Sequence, residues 1–124
     1  KMTKEIICRL LRKDELDKIH GTCRIGEIRA TRKQLAKILG KPRKTKVRPH
    51  MTKTLFEWDL ALKTKSGKEF IATIHDWKSW ENGIKPENIT EWTLGGNRKS
   101  AKRTSDLLEE VLSADSRVIV WRNG

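Results

Sequence analysis

The chain has 124 residues, with 28 lysines and arginines against 16 aspartates and glutamates, which gives a formal net charge of +12 at pH 7. This length fits a single domain over residues 1–124. The chain lacks the apolar run of roughly 20 residues that a membrane helix needs, and its basic start lacks the apolar stretch of a secretory signal. We therefore expect a soluble intracellular protein, neither secreted nor bound to a membrane.

The first thirty residues predict short elements. Residues 5–12 form an apolar run that fits a buried strand or one face of a helix, because so short a run shows no clear period. Residues 14–20 predict a short helix or turn that ends at Gly21. The alternating, β-branched pattern of residues 22–29 predicts a strand.

The first well-marked helix is predicted for residues 32–39. Thr31 is a suitable N-cap, and Leu35 and Leu39 lie on one apolar face at helical spacing. Gly40 provides the residue that commonly ends a helix. The helix is therefore expected to be short and to pack with one face inward.

The clearest pattern in the chain lies between residues 55 and 76. Two segments of alternating apolar and polar residues, 56–63 and 69–75, flank the turn residues Ser66 and Gly67. This arrangement predicts an antiparallel hairpin with one apolar face. We expect the hairpin to form the centre of a sheet.

Three further elements complete the domain. Residues 89–94 predict a strand that stops at the glycine pair 95–96, residues 98–113 predict a second helix, and residues 117–122 predict a final strand. The order of elements predicts an α+β fold. In this fold a mostly antiparallel sheet is built around the hairpin, and both helices pack on one of its faces.

The two cysteines, Cys8 and Cys23, match no zinc or redox spacing. Two reduced core thiols and a disulfide both fit the sequence. No metal site and no cofactor are indicated by any other pattern in the chain.

Most of the excess charge lies between Arg24 and Lys53, where eleven basic residues face Glu27 alone, a net charge of +10. Residues 41–53 contain two prolines and no apolar period, so they predict an exposed basic loop. A charge run often does no more than solvate a surface. A concentration this high instead favours a polyanionic partner, because it repels itself in the compact state.

Both predicted helices begin with basic residues, although a helix N-terminus favours negative charge. Such an arrangement fits an anion bound where free backbone N–H groups and basic side chains converge. Glycines and the N-cap before the second helix would let a phosphate approach the backbone. The predicted phosphate contacts are Arg32, Lys33, Arg43, Lys44, Lys46, Arg48, Gly95, Gly96, Asn97, Arg98, Lys99 and Arg103.

Stacking on an exposed base would need an aromatic side chain. Trp80 is the first candidate and Trp77 the second, although most tryptophans are core residues.

The candidates for catalysis are His75, Asp76, Glu57 and Asp59. Neighbouring residues of a strand point to opposite faces, so His75 and Asp76 do not form a working pair. No second histidine or cysteine completes a metal site with the two other carboxylates. We therefore do not expect an enzyme.

Residues 56–58 (FEW), 72–78 (ATIHDWK) and 91–96 (EWTLGG) resemble a pattern shared by small uncharacterised proteins of bacteriophages and large DNA viruses. The resemblance covers roughly residues 24–112. In that pattern a tyrosine is usual in place of His75, and a His-Ile pair is usual in place of Thr93-Leu94. The resemblance implies a viral origin and a common fold, and it implies no particular activity.

Charge and resemblance together predict a viral nucleic-acid-binding protein, found in the host cytoplasm, the nucleus or the virion. It would bind DNA or RNA mainly through phosphates and with weak sequence preference. Two alternatives remain open: a host-interaction or anti-defence protein that binds an acidic protein or a signalling nucleotide, and a structural component of the virion. Nothing in the sequence indicates the oligomeric state.

Overall fold

The structure is a computed structural model, and it describes residues 6–44, 56–77 and 83–122. The strands are β1 (Ile7–Leu10), β2 (Cys23–Arg29), β3 (Arg43–Lys44), β4 (Phe56–Lys63), β5 (Glu69–His75), β6 (Glu91–Gly96) and β7 (Ile119–Arg122). The α-helices are α1 (Arg32–Leu39) and α2 (Ala101–Leu112), and short 3-10 helices cover Lys13–Ile19, Pro86–Asn88 and Arg98–Ser100. No helix in these three ranges is long and apolar enough to cross a membrane.

The strands form one antiparallel sheet in the order β1-β4-β5-β6-β2-β7, and β3 pairs with β4 beside β1. The predicted hairpin is β4 and β5, in which Trp58 lies opposite Ile74 and Leu60 opposite Ala72. Because side chains alternate along a strand, these residues share one face, and all four are buried. The α+β fold predicted from the sequence is confirmed.

The hydrophobic core lies between this face and the two helices. Leu35 of α1 and Leu108 of α2 belong to the same buried cluster as the inward residues of β4, β5 and β6. Trp58 and Trp92 meet edge to face at its centre, with ring centroids 5.2 Å apart. Each buried tryptophan removes about 150–250 Å² from water, so this pair provides a large share of the core.

The same two tryptophans hold both ends of α1. The indole N–H of Trp92 donates to the carbonyl of Ala30, before the helix, at 2.9 Å. The indole N–H of Trp58 donates to the carbonyl of Gly40, after the helix, at 2.8 Å. Since a buried N–H without a partner costs about 1–3 kcal/mol, these bonds favour one position of α1 on the sheet.

Local capping explains where the helices begin. Thr31 accepts from the backbone N–H of Gln34 at 3.1 Å, and the Gln34 side chain accepts from the N–H of Thr31 at 2.8 Å, which forms a capping box. The side chain of Asn97 accepts from the N–H of Lys99 at 2.9 Å, so the second helical segment begins with a 3-10 turn before α2. Both helices therefore lie where the sequence predicts them.

Strand β6 differs from its prediction, because it continues through the glycine pair instead of stopping there. Gly95 pairs with Thr73 and Gly96 with Ala72 in the ladder between β5 and β6. A Cβ atom on Gly95 would lie 2.3 Å from the Thr73 hydroxyl, and one on Gly96 would lie 2.7 Å from Ile25 Cδ1. The glycines therefore allow close packing of side chains from neighbouring strands, and the prediction of a chain stop was wrong.

The remaining differences concern short segments. Residues 7–10 form a strand, because β4 offers them an unpaired edge. The predicted loop 41–53 begins with β3, a two-residue strand on the same edge, and residues 45–53 lie outside the described ranges. Cys8 and Cys23 are free thiols, and burial raises the pKa of Cys8 to about 11.

The contact between Gly95 and Thr73 predicts a pairwise effect on stability. Gly95→Ala should lower the free energy of unfolding by about 1–3 kcal/mol, because its Cβ overlaps the Thr73 hydroxyl. In a Thr73→Ala background the same change should cost little, because the nearest remaining atoms lie at 3.5 and 3.7 Å. Urea denaturation of the four proteins measures both effects, and an equal cost in the two backgrounds would contradict this account.

Candidate functional site

Within the described ranges, the basic residues predicted to contact phosphate do not form one cluster. Helix α1 follows Arg29, which pairs with Glu91 at the start of β6. The segment that leads into α2 follows Gly96, which pairs with Cys23 at the other end of the same two strands. At about 3.3 Å per residue, the two helix N-termini lie roughly 17 Å apart along the sheet.

At the start of α1, Arg32 and Lys33 differ in their surroundings. The Arg32 guanidinium lies over the Phe56 ring at 4.7 Å from its centroid, and its Nε is buried. Lys33 is exposed and makes no ion pair with the described part of the chain. Arg32 therefore covers the edge of the core, and Lys33 is the more accessible cation of the two.

Arg43 is bound by the protein's own carboxylates. Its guanidinium lies 3.1 Å from Glu57 and 3.0 Å from Asp59, because β3 pairs with β4 and brings the side chains together. Lys44 is exposed. Three further predicted contacts, Lys46, Arg48 and Trp80, lie outside the described ranges.

The start of the second helical segment carries the most accessible basic cluster, which we call the α2 basic patch: Arg98, Lys99, Lys102 and Arg103. All four side chains are exposed. Lys102 approaches Asp106 at 3.9 Å, whereas the other three make no ion pair within the described ranges. The Asn97 side chain is used as the helix cap, and Gly95 and Gly96 are buried within β6.

A cavity of about 500 Å³ lies beside the α2 basic patch. Arg98, Lys99 and Lys102 line it together with Arg122 of β7. Arg122 contacts Asp106 at 2.6 Å and also contacts Glu109, so its charge is already neutralised. The free positive charge of this region therefore comes from the start of the helix.

A second polar cluster lies on the face of the sheet opposite the helices. Glu57 faces His75 across the hairpin, and Asp59 faces Thr73. The carboxyl groups of Glu57 and Asp59 both contact the Arg43 guanidinium, and Asp59 is only 4% exposed. Glu57, Asp59 and His75 are candidates for catalysis from the sequence, and the structure adds Arg43, which reaches both carboxylates from a distant segment.

Burial and the neighbouring carboxylate change the proton affinity of this cluster. Burial first, and the hydrogen bond and negative charge of Asp59 second, raise the pKa of Glu57 to about 8, although Arg43 acts in the opposite direction. Burial lowers the pKa of His75 against the opposing effect of Asp76 and Asp59. At neutral pH Glu57 is therefore mostly protonated, and His75 is neutral.

A cavity of about 270 Å³ opens on the same face, beyond His75. Its lining comes from β2, β5 and β6 and from two residues just outside these strands, Thr22 before β2 and Trp77 after β5. The full set is Thr22, Cys23, Arg24, Thr73, His75, Trp77, Thr93 and Gly95. We call it the polar-face pocket. The Trp77 side chain is 54% exposed, and its ring meets that of His75 edge to face at 6.5 Å between centroids.

Asp76 points away from this pocket, as the alternation of a strand predicts. It is fully buried and accepts a hydrogen bond from the backbone N–H of Phe56 at 2.9 Å. Within the part of the chain that the structure describes, no three histidine, cysteine, aspartate or glutamate side chains are arranged to hold a metal ion.

The raised pKa of Glu57 predicts a pH dependence of stability. Its folded pKa of about 8 lies above the ordinary value of 4.5, so the native state binds the extra proton between these values. The stabilisation is complete below about pH 4.5 and is lost as the pH rises through about 8. The free energy of unfolding should therefore fall by a few kcal/mol, on an order-of-magnitude basis, from about pH 5 to about pH 9.

Glu57→Gln keeps the shape of the protonated side chain and should remove most of this decline. The control is Glu91→Gln, whose side chain is 74% exposed and pairs with Arg29 on the surface. Denaturant unfolding at several pH values measures the slope. If Glu57→Gln and Glu91→Gln change the slope equally, the assignment to Glu57 is wrong.

No protein-family model, no curated protein and no solved structure matches this chain. Two features of the described residues therefore point to a function. They are the α2 basic patch on the helical side of the sheet and the polar-face pocket on the other side.

Proposed function

We propose that this protein is a viral nucleic-acid-binding protein that holds its ligand through phosphate contacts and reads little sequence. The observation that carries the proposal is the α2 basic patch, in which Arg98, Lys99 and Arg103 are exposed and make no ion pair with any described residue. Lysine and arginine that neutralise phosphates provide most of the affinity of such proteins, and they carry no sequence information.

The position of the patch supports an anionic ligand. The N-terminus of a helix carries a partial positive charge, so each cation there is unfavourable by about 0.3–1 kcal/mol. First-turn acidic residues, which would neutralise it, are absent from α2. A bound phosphate would reverse this repulsion, since both the helix end and the side chains attract it.

The separation of the basic regions supports a long ligand. Lys33 at the start of α1 lies roughly 17 Å from the start of the second helical segment, by the strand spacing between them. A nucleic acid strand places a phosphate about every 3.4 Å along the helix axis, so one strand can reach both regions. A single small anion can reach only one of them.

Arg43 contributes less than the sequence predicted. Its ion pairs with Glu57 and Asp59 leave little charge for a phosphate. In this proposal the α2 basic patch is the main contact, Lys33 and Lys44 add to it, and Arg43 holds β3 on the sheet.

The proposal predicts that binding weakens strongly as the salt concentration rises. It also predicts that this effect comes from the basic residues of the α2 basic patch and not from net charge alone. In Arg98→Ser/Lys99→Ser/Arg103→Ser, the slope of log affinity against log salt concentration should fall by about 2–3, because about 0.9 is lost for each phosphate contact. The control variant Lys63→Ser/Lys65→Ser/Lys85→Ser removes the same charge from exposed positions elsewhere. Its slope should fall much less than that of the patch variant. Binding to DNA, RNA, heparin and an acidic protein over about 50–200 mM salt measures this.

Two results would contradict the proposal. One is a flat salt dependence of the parent protein on both nucleic acids. The other is an equal loss of slope in the two triple variants. Tight binding to the acidic protein together with weak binding to nucleic acid would instead favour a protein partner for the same patch.

A further inference from the structure

The polar-face pocket lies on the opposite side of the sheet from the α2 basic patch, and the proposed phosphate contacts do not use it. Its floor is formed by neighbouring residues of β5 and β6: Thr93 lies beside His75, and Gly95 lies beside Thr73. The absence of a side chain at Gly95 leaves room beside the Thr73 hydroxyl, because a Cβ atom there would lie 2.3 Å from it. The glycine therefore contributes to the depth of the pocket.

The floor presents polar groups that the protein itself does not use. The hydroxyls of Thr73 and Thr93 and the ring nitrogens of His75 form no hydrogen bond with the described part of the chain. Because His75 is neutral, its ring offers one donor and one acceptor, and each hydroxyl can do both.

The walls differ from the floor in a way that indicates the ligand. Trp77 provides an exposed aromatic ring on one side. Arg24 provides a guanidinium on the other. Its ion pair with Glu27 at 2.7 Å is exposed on both sides, at 54% and 52%, so it is weaker than the buried pairs of Arg43 and a phosphate can compete for the guanidinium. An aromatic ring, several mixed donor and acceptor groups and a cation match the three parts of a nucleotide: the flat face of the base, its polar edge and its phosphate.

The size of the pocket limits the ligand to one base. A volume of about 270 Å³ lies just below the range of about 300–1,000 Å³ that is usual for drug-sized ligands. We propose that the polar-face pocket binds a single nucleotide, with its base stacked on Trp77, the base edge against Thr73, His75 and Thr93, and the phosphate beside Arg24.

A free mononucleotide and an unpaired base of a nucleic acid strand provide the same chemistry. If the strand is the source, this inference rests on the proposed function, and the base contact would add to the phosphate contacts of the α2 basic patch. If a mononucleotide is the source, the pocket is an independent site. The experiment uses both ligands so that the two cases are separated.

The test measures binding of AMP, GMP, CMP and UMP and of a short single-stranded oligonucleotide by calorimetry. Ribose 5-phosphate, which lacks a base, is the negative control. Trp77→Ala should weaken binding roughly 5- to 150-fold, the range expected for the loss of one stacked base. Trp121→Ala is the matched control, because Trp121 is 45% exposed and lies on the edge strand β7, outside the pocket.

Thr93→Val is a second variant that removes one floor hydroxyl at nearly constant shape, and it should weaken binding without lowering the melting temperature.

Each outcome decides between the proposals. Saturable mononucleotide binding that is lost in Trp77→Ala and kept in Trp121→Ala supports a free nucleotide. If Trp77→Ala weakens binding of the oligonucleotide but of no mononucleotide, the pocket binds an unpaired base of a nucleic acid strand. Equal effects of the two tryptophan changes on every ligand would overturn the pocket proposal, and the salt test of the α2 basic patch would be unaffected. Loss of salt dependence with intact mononucleotide binding would overturn the proposed function and leave the pocket standing.

Discussion

The hydrogen bonds from two core tryptophans to the backbone on either side of α1 are the constraint on which much of the structure depends. Trp92 binds the carbonyl of Ala30 and Trp58 that of Gly40, so the helix is held at both ends by residues of the sheet. Because the two rings also contact each other, a shift of the helix would disturb the centre of the core. The course of the chain after Gly40 follows from this arrangement, since β3 begins three residues later.

That course explains why Arg43 is paired with carboxylates of the protein itself. Once Gly40 is held, the chain returns to the edge of β4, where Arg43 reaches Glu57 and Asp59. A residue from the most basic segment of the sequence is therefore used to neutralise a buried carboxyl pair. Exposed basic side chains remain on the helical side at the starts of α1 and of the segment leading into α2, and the opposite face holds the polar-face pocket beside His75.

The sequence was informative wherever structure depends on near neighbours. Thr31, Gln34 and Gly40 define α1 within one helix length, and the alternation on both sides of Ser66-Gly67 defines the hairpin. It failed where distant residues decide, as at Gly95, whose role depends on Thr73 of the adjacent strand. The pairing of Arg43 and the composition of the polar-face pocket were hidden for the same reason, because each joins segments that are far apart in the chain.

The raised pKa of Glu57 also affects the charge of the whole molecule. The formal value of +12 counts Glu57 as ionised, but with a pKa of about 8 it is mostly neutral at pH 7, so the folded protein carries close to one positive unit more. This extra unit belongs to the native state alone, because an unfolded chain exposes the carboxyl group to water. In electrophoresis near neutral pH, the folded form should therefore have a slightly higher charge than its denatured counterpart, and unfolding should release a proton into the buffer.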